Sequence, residues 1–320
     1  MTQPMALPLD RATGIGHRVD VDVIIATRDR PELLEQAIQS ILDQDFDGGI
    51  RITVVYDNCP ANAAVARSSP GRSVRVLENG RSPGLPGARN TGLLAADAAL
   101  VAFCDDDDSW RPLKLDWQTA AMRETSAVAC VSGIEVHYAD RRRVRLPAVS
   151  EVTVAGLSGS RLTGAHPSTY LFDRRHLLSK VGLVDEDLPY GYGEDYDLLI
   201  RSAGQGLVTV VPQVTADILW HPAGSYFSQR WEAMADGIEY LMGKHPVIGS
   251  NPRGAAWMEG QRAFALAAQG NRKGAAMRAA GRSLRQHPKE PRAYLALAIV
   301  AGLIRPAAVL KILNSRGRGI

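Results

Sequence analysis

Residues 100–115 read LVAFCDDDDSWRPLKL, an apolar run of strand length that passes directly into four carboxylates, Asp105, Asp106, Asp107 and Asp108. Four adjacent like charges repel one another, and a strand end keeps them where a divalent cation offsets the repulsion. If the strand continued, Asp105 and Asp107 would point to the same side. A hard ion, Mg2+ or Mn2+, held by one or both is therefore the expected cofactor. A solvated acidic loop with a helix cap at Asp108 or Ser109 is the competing account.

The acidic run is the end of a repeating pattern. Residues 20–27 (DVDVIIAT) form a β-branched run, and residues 31–44 (PELLEQAIQSILDQ) place Leu34, Ile38, Ile41 and Leu42 at helical spacing behind a proline suited to a first turn. Strands are expected at 51–57 (RITVVYD), 73–79 (SVRVLEN) and 100–104, with a helix at 90–99 after a Gly-rich turn. Alternating strand and helix predicts a mostly parallel sheet with helices on both faces, whose ligands gather at the carboxyl ends of the strands. Those ends carry Ala26, Thr27, Arg28, Asp57 and the four aspartates.

The 320 residues, 45% hydrophobic and 22% charged, describe an ordinary globular chain. Three dispersed cysteines support neither a disulfide framework nor a zinc knuckle and fit a reducing cytosol. Residues 1–18 lack the apolar run of a signal peptide and read as a mobile leader.

Four segments in fixed order resemble one family. VDVIIATRDRPELLEQAIQSILDQ (21–44), VVYDN (54–58) and PGLPGARNTGLLAADAALVAFCDDDDSWRPLKL (83–115) are similar to the nucleotide-binding half of family 2 glycosyltransferases. VGLVDEDLPYGYGEDYDLLIRSAGQG (181–206) resembles that family's acceptor-side signature. The resemblance covers residues 20–228 and implies the α/β GT-A fold, a Rossmann-like, mostly parallel sheet flanked by helices, with a C-terminal α-helical extension. It divides the chain into the leader, a catalytic domain at 19–228 (nucleotide-binding half 19–110, acceptor half 111–228) and a basic helical extension at 229–320. The implied activity is metal-assisted single displacement, moving a sugar with inversion from a nucleoside-diphosphate sugar, UDP- or dTDP-linked, to an acceptor hydroxyl. The acceptor is a sugar, a lipid-linked molecule or a small molecule; no nucleic acid is expected as a partner.

Roles follow from the resemblance. Ala26, Thr27 and Arg28 would line the base and ribose pocket. Arg28 stands where relatives often carry an aromatic residue, and its guanidinium plane can stack in its place. Asp57 would accept a hydrogen bond from the base, or is a turn-forming residue before Asn58. Arg89 and Asn90, behind Gly84 and Gly87, would approach the diphosphate, or Arg89 pairs with the acidic run. Asp105, Asp106 and Asp107 form the D-x-D motif, with Asp107 the direct metal ligand and Asp105 nearer the ribose. His221 would add a metal ligand, or is structural before Pro222. Asp195 is the implied general base and Glu194 an acceptor-side residue; ordinary charge at a helix N-terminus is the alternative. Trp110 is assigned to the sugar and acceptor side, or to the edge of the core. His166 is expected in the core or on the surface, with the acceptor side as an alternative that no spacing supports.

After residue 228 the texture becomes Ala-rich helix, and residues 263–298 resemble a single tetratricopeptide-like unit broken at Gly270 and Pro288. Residues 271–320 carry eleven Lys or Arg against Glu290 alone, a surplus of ten that leaves −7 on the rest of the +3 chain. Either this is a solvated helix face or it meets an anionic surface, which would place a cytoplasmic protein at the inner face of a membrane. Two rival functions are a sugar-nucleotide nucleotidyltransferase, against which stands the lack of a Gly-rich loop after the first strand, and a non-catalytic nucleotide- or metal-binding module, which would not need Asp195.

Overall fold

In the computed structural model, residues 20–220 and 230–309 are described. The β-branched run becomes β1 (Val21–Thr27), which is buried along almost its whole length because helices cover both faces of the sheet. It pairs in parallel with β2 (Ile50–Tyr56) on one side and β5 (Leu100–Asp105) on the other, and β2 pairs in parallel with β4 (Arg72–Glu78). Past β5 the sheet turns mixed. Antiparallel β10 (Leu171–Asp173) lies between β5 and β7 (Ala129–Tyr138), which runs parallel to β11 (Val208–Trp220). Short antiparallel strands complete it: β3 (Arg67–Ser69) on β4, β6 (Asp108–Trp110) and β9 (Glu151–Val152) on β11, and β8 (Arg141–Arg145) on β7.

Alternation along β1 divides the core. Val23 and Ile25 pack with Leu34, Ile38 and Ile41 of α1 (Pro31–Leu42), while Ile24 faces Leu93 of α2 (Leu85–Ala95). Helix α2 begins and ends earlier than the expected 90–99. Its start is Leu85-Pro86, with proline in the first turn, and a Cβ on Gly87 would lie 1.9 Å from the Ser82 carbonyl oxygen, so the glycine permits a close approach inside the helix. Its end is set by buried Asp22, whose Oδ2 accepts from the amides of Asp97 and Ala98.

The acceptor side carries α3 (Lys114–Thr125), α4 (Val154–Gly159), a single turn α5 (Arg174–His176) and α6 (Glu194–Gln205). The C-terminal helices are α7 (Trp231–Lys244), α8 (Pro246–Ser250), α9 (Pro252–Gln269), α10 (Lys273–Gln286) and α11 (Pro291–Val300), with Gly270 in the left-handed conformation closing α9 and Pro288 between the last two. Their apolar residues, Leu241, Phe264 and Leu266 among them, are buried, and Leu241 and Leu266 continue the cluster that contains Ile24 and Leu199. The proposed leader and the boundary at residue 228 lie outside the described residues.

Folding also redistributes the tail charge. Among the described residues, Arg272 pairs with Asp236, Arg282 with Glu259 and Arg292 with Glu290, the first two with acids that precede residue 271 in sequence. Among the described residues no helix is long and apolar enough to cross a membrane.

Gly254 of α9 tests the docking of these helices, since a Cβ there would sit 1.8 Å from the Ser158 carbonyl oxygen of α4. Gly254→Ala is expected to lower unfolding free energy by about 1–3 kcal/mol in urea titration, the usual cost of overpacking. Unchanged stability would show that the close approach is absent.

Candidate active site

A cleft of about 440 Å3 opens at the carboxyl ends of β1, β2 and β5. It is lined by Ala26, Thr27, Arg28, Asp57 and Asp105 through Asp108, by His166 beside the acidic run, and by Arg161, Glu194 and Asp195 from later in the chain. The acidic run is not a continued strand. After Asp105 the chain turns at Asp106 and Asp107 and resumes as β6 at Asp108, so the expected common side for Asp105 and Asp107 is lost. Each is drawn to its own arginine: Asp105 Oδ1 accepts from Arg89 Nη2 at 2.6 Å, and Asp107 Oδ2 from Arg30 Nη1 at 2.7 Å.

The remaining pair points inward. Asp106 accepts from the Thr27 hydroxyl at 2.7 Å, and burial pushes its carboxyl up to about 6 against the pull of Thr27 and Arg30. Asp108 is buried, accepts from the Ser168 hydroxyl and the Leu219 amide, and is raised well above the ordinary carboxylate value by burial and by Asp105 and Asp107. Asp105, Asp108 and His166 offer ligand atoms within 4.8 Å of one another, a possible metal site of two carboxylates and an imidazole. His221 lies outside the described residues.

Several expected contacts are placed elsewhere. Arg89, 3% exposed, is held between Asp105 and Glu194 and does not line the cleft, so pairing with the acidic run is what the structure shows for it. Asn90 is fully buried; it donates to the Val184 carbonyl and to Glu186 and accepts from the Val184 amide, latching α2 to the 184–186 loop instead of facing a donor. Trp110 packs with Leu115 and Ile134 in the core, with Lys114 Nζ 3.9 Å from its ring centre, and is absent from the cleft wall. Its strand, β6, turns it toward α3. Asp57 does line the cleft, with one oxygen receiving Asn79 Nδ2 at 2.8 Å and both near the Gly84 amide.

Gly193 caps α6 in the left-handed conformation, and the helix opens with Glu194 and Asp195. Glu194 is buried against Arg89; burial raises its carboxyl above the ordinary range, and the guanidinium pulls it back toward the ionised form. Asp195 is 28% exposed and receives Arg161 Nη2 at 3.3 Å. Arg161 is wedged against Tyr192 and Tyr196, with its guanidinium carbon 5.4 and 5.3 Å from the ring centres. Arg161 was not singled out by sequence, and His166, expected in the core or on the surface, lines the cleft. Arg161 sits in no motif, whereas His166 is followed by Pro167 and caps the short turn that delivers Ser168 to Asp108.

With this geometry in view, residues 22–177 match the family described as Glycosyl transferase family 2. Residues 22–177 thus form a family 2 glycosyltransferase segment. It is 30% identical over 203 residues to the succinoglycan biosynthesis protein ExoO of Rhizobium meliloti, covering 58% of this chain and 56% of that one. It is 31% identical over 104 residues, 32% of this chain and 40% of the other, to the Escherichia coli UDP-Glc:alpha-D-GlcNAc-diphosphoundecaprenol beta-1,3-glucosyltransferase WfgD. The chain thus spans about half the length of the curated relatives it matches. Among solved structures, S. aureus TarS 1-349 in complex with UDP-GlcNAc superposes with a TM-score of 0.58 at 15% identity, covering 89% of each chain. The mannosyltransferase PcManGT of Pyrobaculum calidifontis, in complex with GDP-Man and Mn2+, gives 0.55 at 18% identity, covering 96% of this chain and 91% of that one. The fold of this chain is GT-A.

Helix α6 is anchored behind the cleft by Asp197, which is fully buried and meets Arg201 at 2.8 Å and Lys244 and His245 at 2.7 Å each. Burial opposes its ionisation, but these three cations and donors hold the carboxyl down to about 2. An aspartate depressed in the folded state stabilises above its unfolded value of about 3.9 and loses that contribution as pH falls toward 2. The stability difference between wild type and Asp197→Asn, on the order of 2 kcal/mol near pH 6 by that linkage, is therefore expected to shrink between pH 4 and 2. A pH-independent difference in urea unfolding would contradict the assignment.

Proposed function

We propose that the cleft transfers a sugar from a nucleoside-diphosphate sugar to an acceptor hydroxyl with inversion at the anomeric carbon. The observation that carries this is the place of Asp195, a partly exposed carboxylate that lines the same cleft as the acidic run. A single displacement needs a proton acceptor and a leaving-group site in one cleft, with the attacking oxygen and the departing diphosphate on opposite faces of the anomeric carbon.

Asp57, Thr27 and Arg28 are the groups available to the nucleoside, in line with the resemblance, and the diphosphate is assigned to the Asp105–Asp108 side. The acidic wall fits a divalent cation: hard carboxylate oxygens gather there, with a half-buried imidazole beside them. Asp107, Asp105, Asp108 and His166 would hold it, and when bound it supplies positive charge for the leaving nucleoside diphosphate. Arg161 holds the Asp195 carboxylate in place, and Asp195 takes the proton from the acceptor hydroxyl as the new C–O bond forms and the anomeric C–O bond to phosphate breaks. Glu194 Oε2 is buried with no hydrogen-bond partner among the described residues and belongs to the cleft wall, which suits an acceptor hydroxyl donating there. The neighbours' ligands, UDP-GlcNAc and GDP-Man, support a nucleotide-sugar donor and leave the base open. A peripheral contact with an anionic membrane, bringing the protein to a lipid-linked acceptor, belongs to the same proposal.

Asp195→Asn is expected to keep donor binding and to lose transfer by on the order of a hundredfold or more, the scale of general-base catalysis. Transfer within a few-fold of wild type would remove Asp195 from this role, and a product that retains the donor's anomeric configuration by proton NMR would remove the single displacement. Asp107→Ala should weaken the Mn2+-dependent part of donor binding measured by calorimetry; an unchanged isotherm would take Asp107 out of the cation site.

A further inference from the structure

A second cavity, of about 330 Å3, lies among α7, α9 and α10, away from the cleft and sharing none of its residues. Arg262, Arg278 and Arg282 line it together with Glu239 and Glu259. The two acids do not neutralise the three cations equally. Glu259 is engaged bidentately by Arg282, at 2.5 and 3.0 Å, and approaches Arg262 only to 3.8 Å. Glu239 meets Arg262 Nη2 at 2.5 Å but is 59% exposed, so water competes for it. Arg278, exposed on α10, has no ion pair or side-chain hydrogen bond among the described residues.

The independent sign of a ligand is Arg262 itself. Its side chain is 9% exposed, it projects from the central helix of the C-terminal group into the cavity, and its Nε is buried with no hydrogen-bond partner among the described residues. A buried guanidinium with an unused N–H is costly unless an acceptor arrives. On the Nε–Nη2 edge of this guanidinium Nη2 is held by Glu239, so Nε is the donor left to meet a ligand oxygen, and Arg278 stands beside the cavity to take a second.

We propose that this cavity is an anion site for a phosphate group, with Arg262 and Arg278 as its ligands. The volume is near the lower end of small-molecule sites, which suits a phosphate carried on a small molecule or on a lipid headgroup. The site stands whether or not the cleft performs sugar transfer, since no residue is common to the two.

The test titrates the full chain with inorganic phosphate and with pyrophosphate by calorimetry, at constant ionic strength and in EDTA, which also removes the cation that a diphosphate would need in the cleft. One site is expected, weakened about tenfold or more by Arg278→Ala, which removes an exposed side chain and leaves the fold intact, and likewise by Arg262→Gln where that variant folds. A parallel flotation arm compares phosphatidate vesicles with neutral phosphatidylcholine vesicles. Phosphate binding without added retention on phosphatidate assigns a soluble ligand; retention that pyrophosphate competes away and Arg278→Ala abolishes assigns a headgroup. No binding of either probe, or binding that Arg278→Ala leaves unchanged, overturns the proposal.

Discussion

One buried guanidinium joins the two halves of the cleft. Arg89, on α2, reaches Asp105 at the end of β5 and Glu194 at the start of α6, so a residue of α2 fastens the helix that carries Asp195. Burying a charge is expensive, and the arrangement is stable because both carboxylates are spent on it. Removal of the arginine would leave two acids facing each other in a dry site, with Asp195 and Asp106 close by. The placement of the start of α6 therefore rests on ion pairs that tie it through Arg89 to the end of β5.

The neighbouring residue performs a parallel task by neutral means. Asn90 satisfies both the carbonyl and the amide of Val184, and Glu186, one of its partners, also receives Arg81 and the Ser82 hydroxyl. Adjacent positions on one helix thus hold α6 through charge and the loop before it through hydrogen bonds. From behind, Lys244 and His245 at the end of α7 hold Asp197 of the same helix. The C-terminal helices are in this sense part of the active-site support.

Much of this was legible in the sequence because it rests on periodicity and strand ends. The β-branched runs at 21–27 and 51–56, the spacing of Leu34, Ile38 and Ile41, and the breaks at Gly270 and Pro288 each report a local preference that tertiary packing left in place. What escaped depends on the direction of a side chain after a turn. The alternation that put Asp105 and Asp107 on one side fails once the chain turns at Asp106, and it also fails to show that Arg89 and Asn90 point into the core. Arg161 and His166 carry no spacing signal, since their place on the cleft comes from long-range folding. Counting charge by stretches of sequence separated Arg272 and Arg282 from the acids of α7 and α9 that meet them in space.

The claim that Arg89 is a strut between β5 and α6, and not a ligand of the donor, is tested most directly by a double-mutant cycle on unfolding free energy with Arg89→Met, Glu194→Gln and the pair. A buried pair of this kind predicts that Arg89→Met costs about 3–5 kcal/mol and that much of this, at least about 1 kcal/mol, disappears when Glu194 is already neutral. Additive effects of the two substitutions would contradict the account.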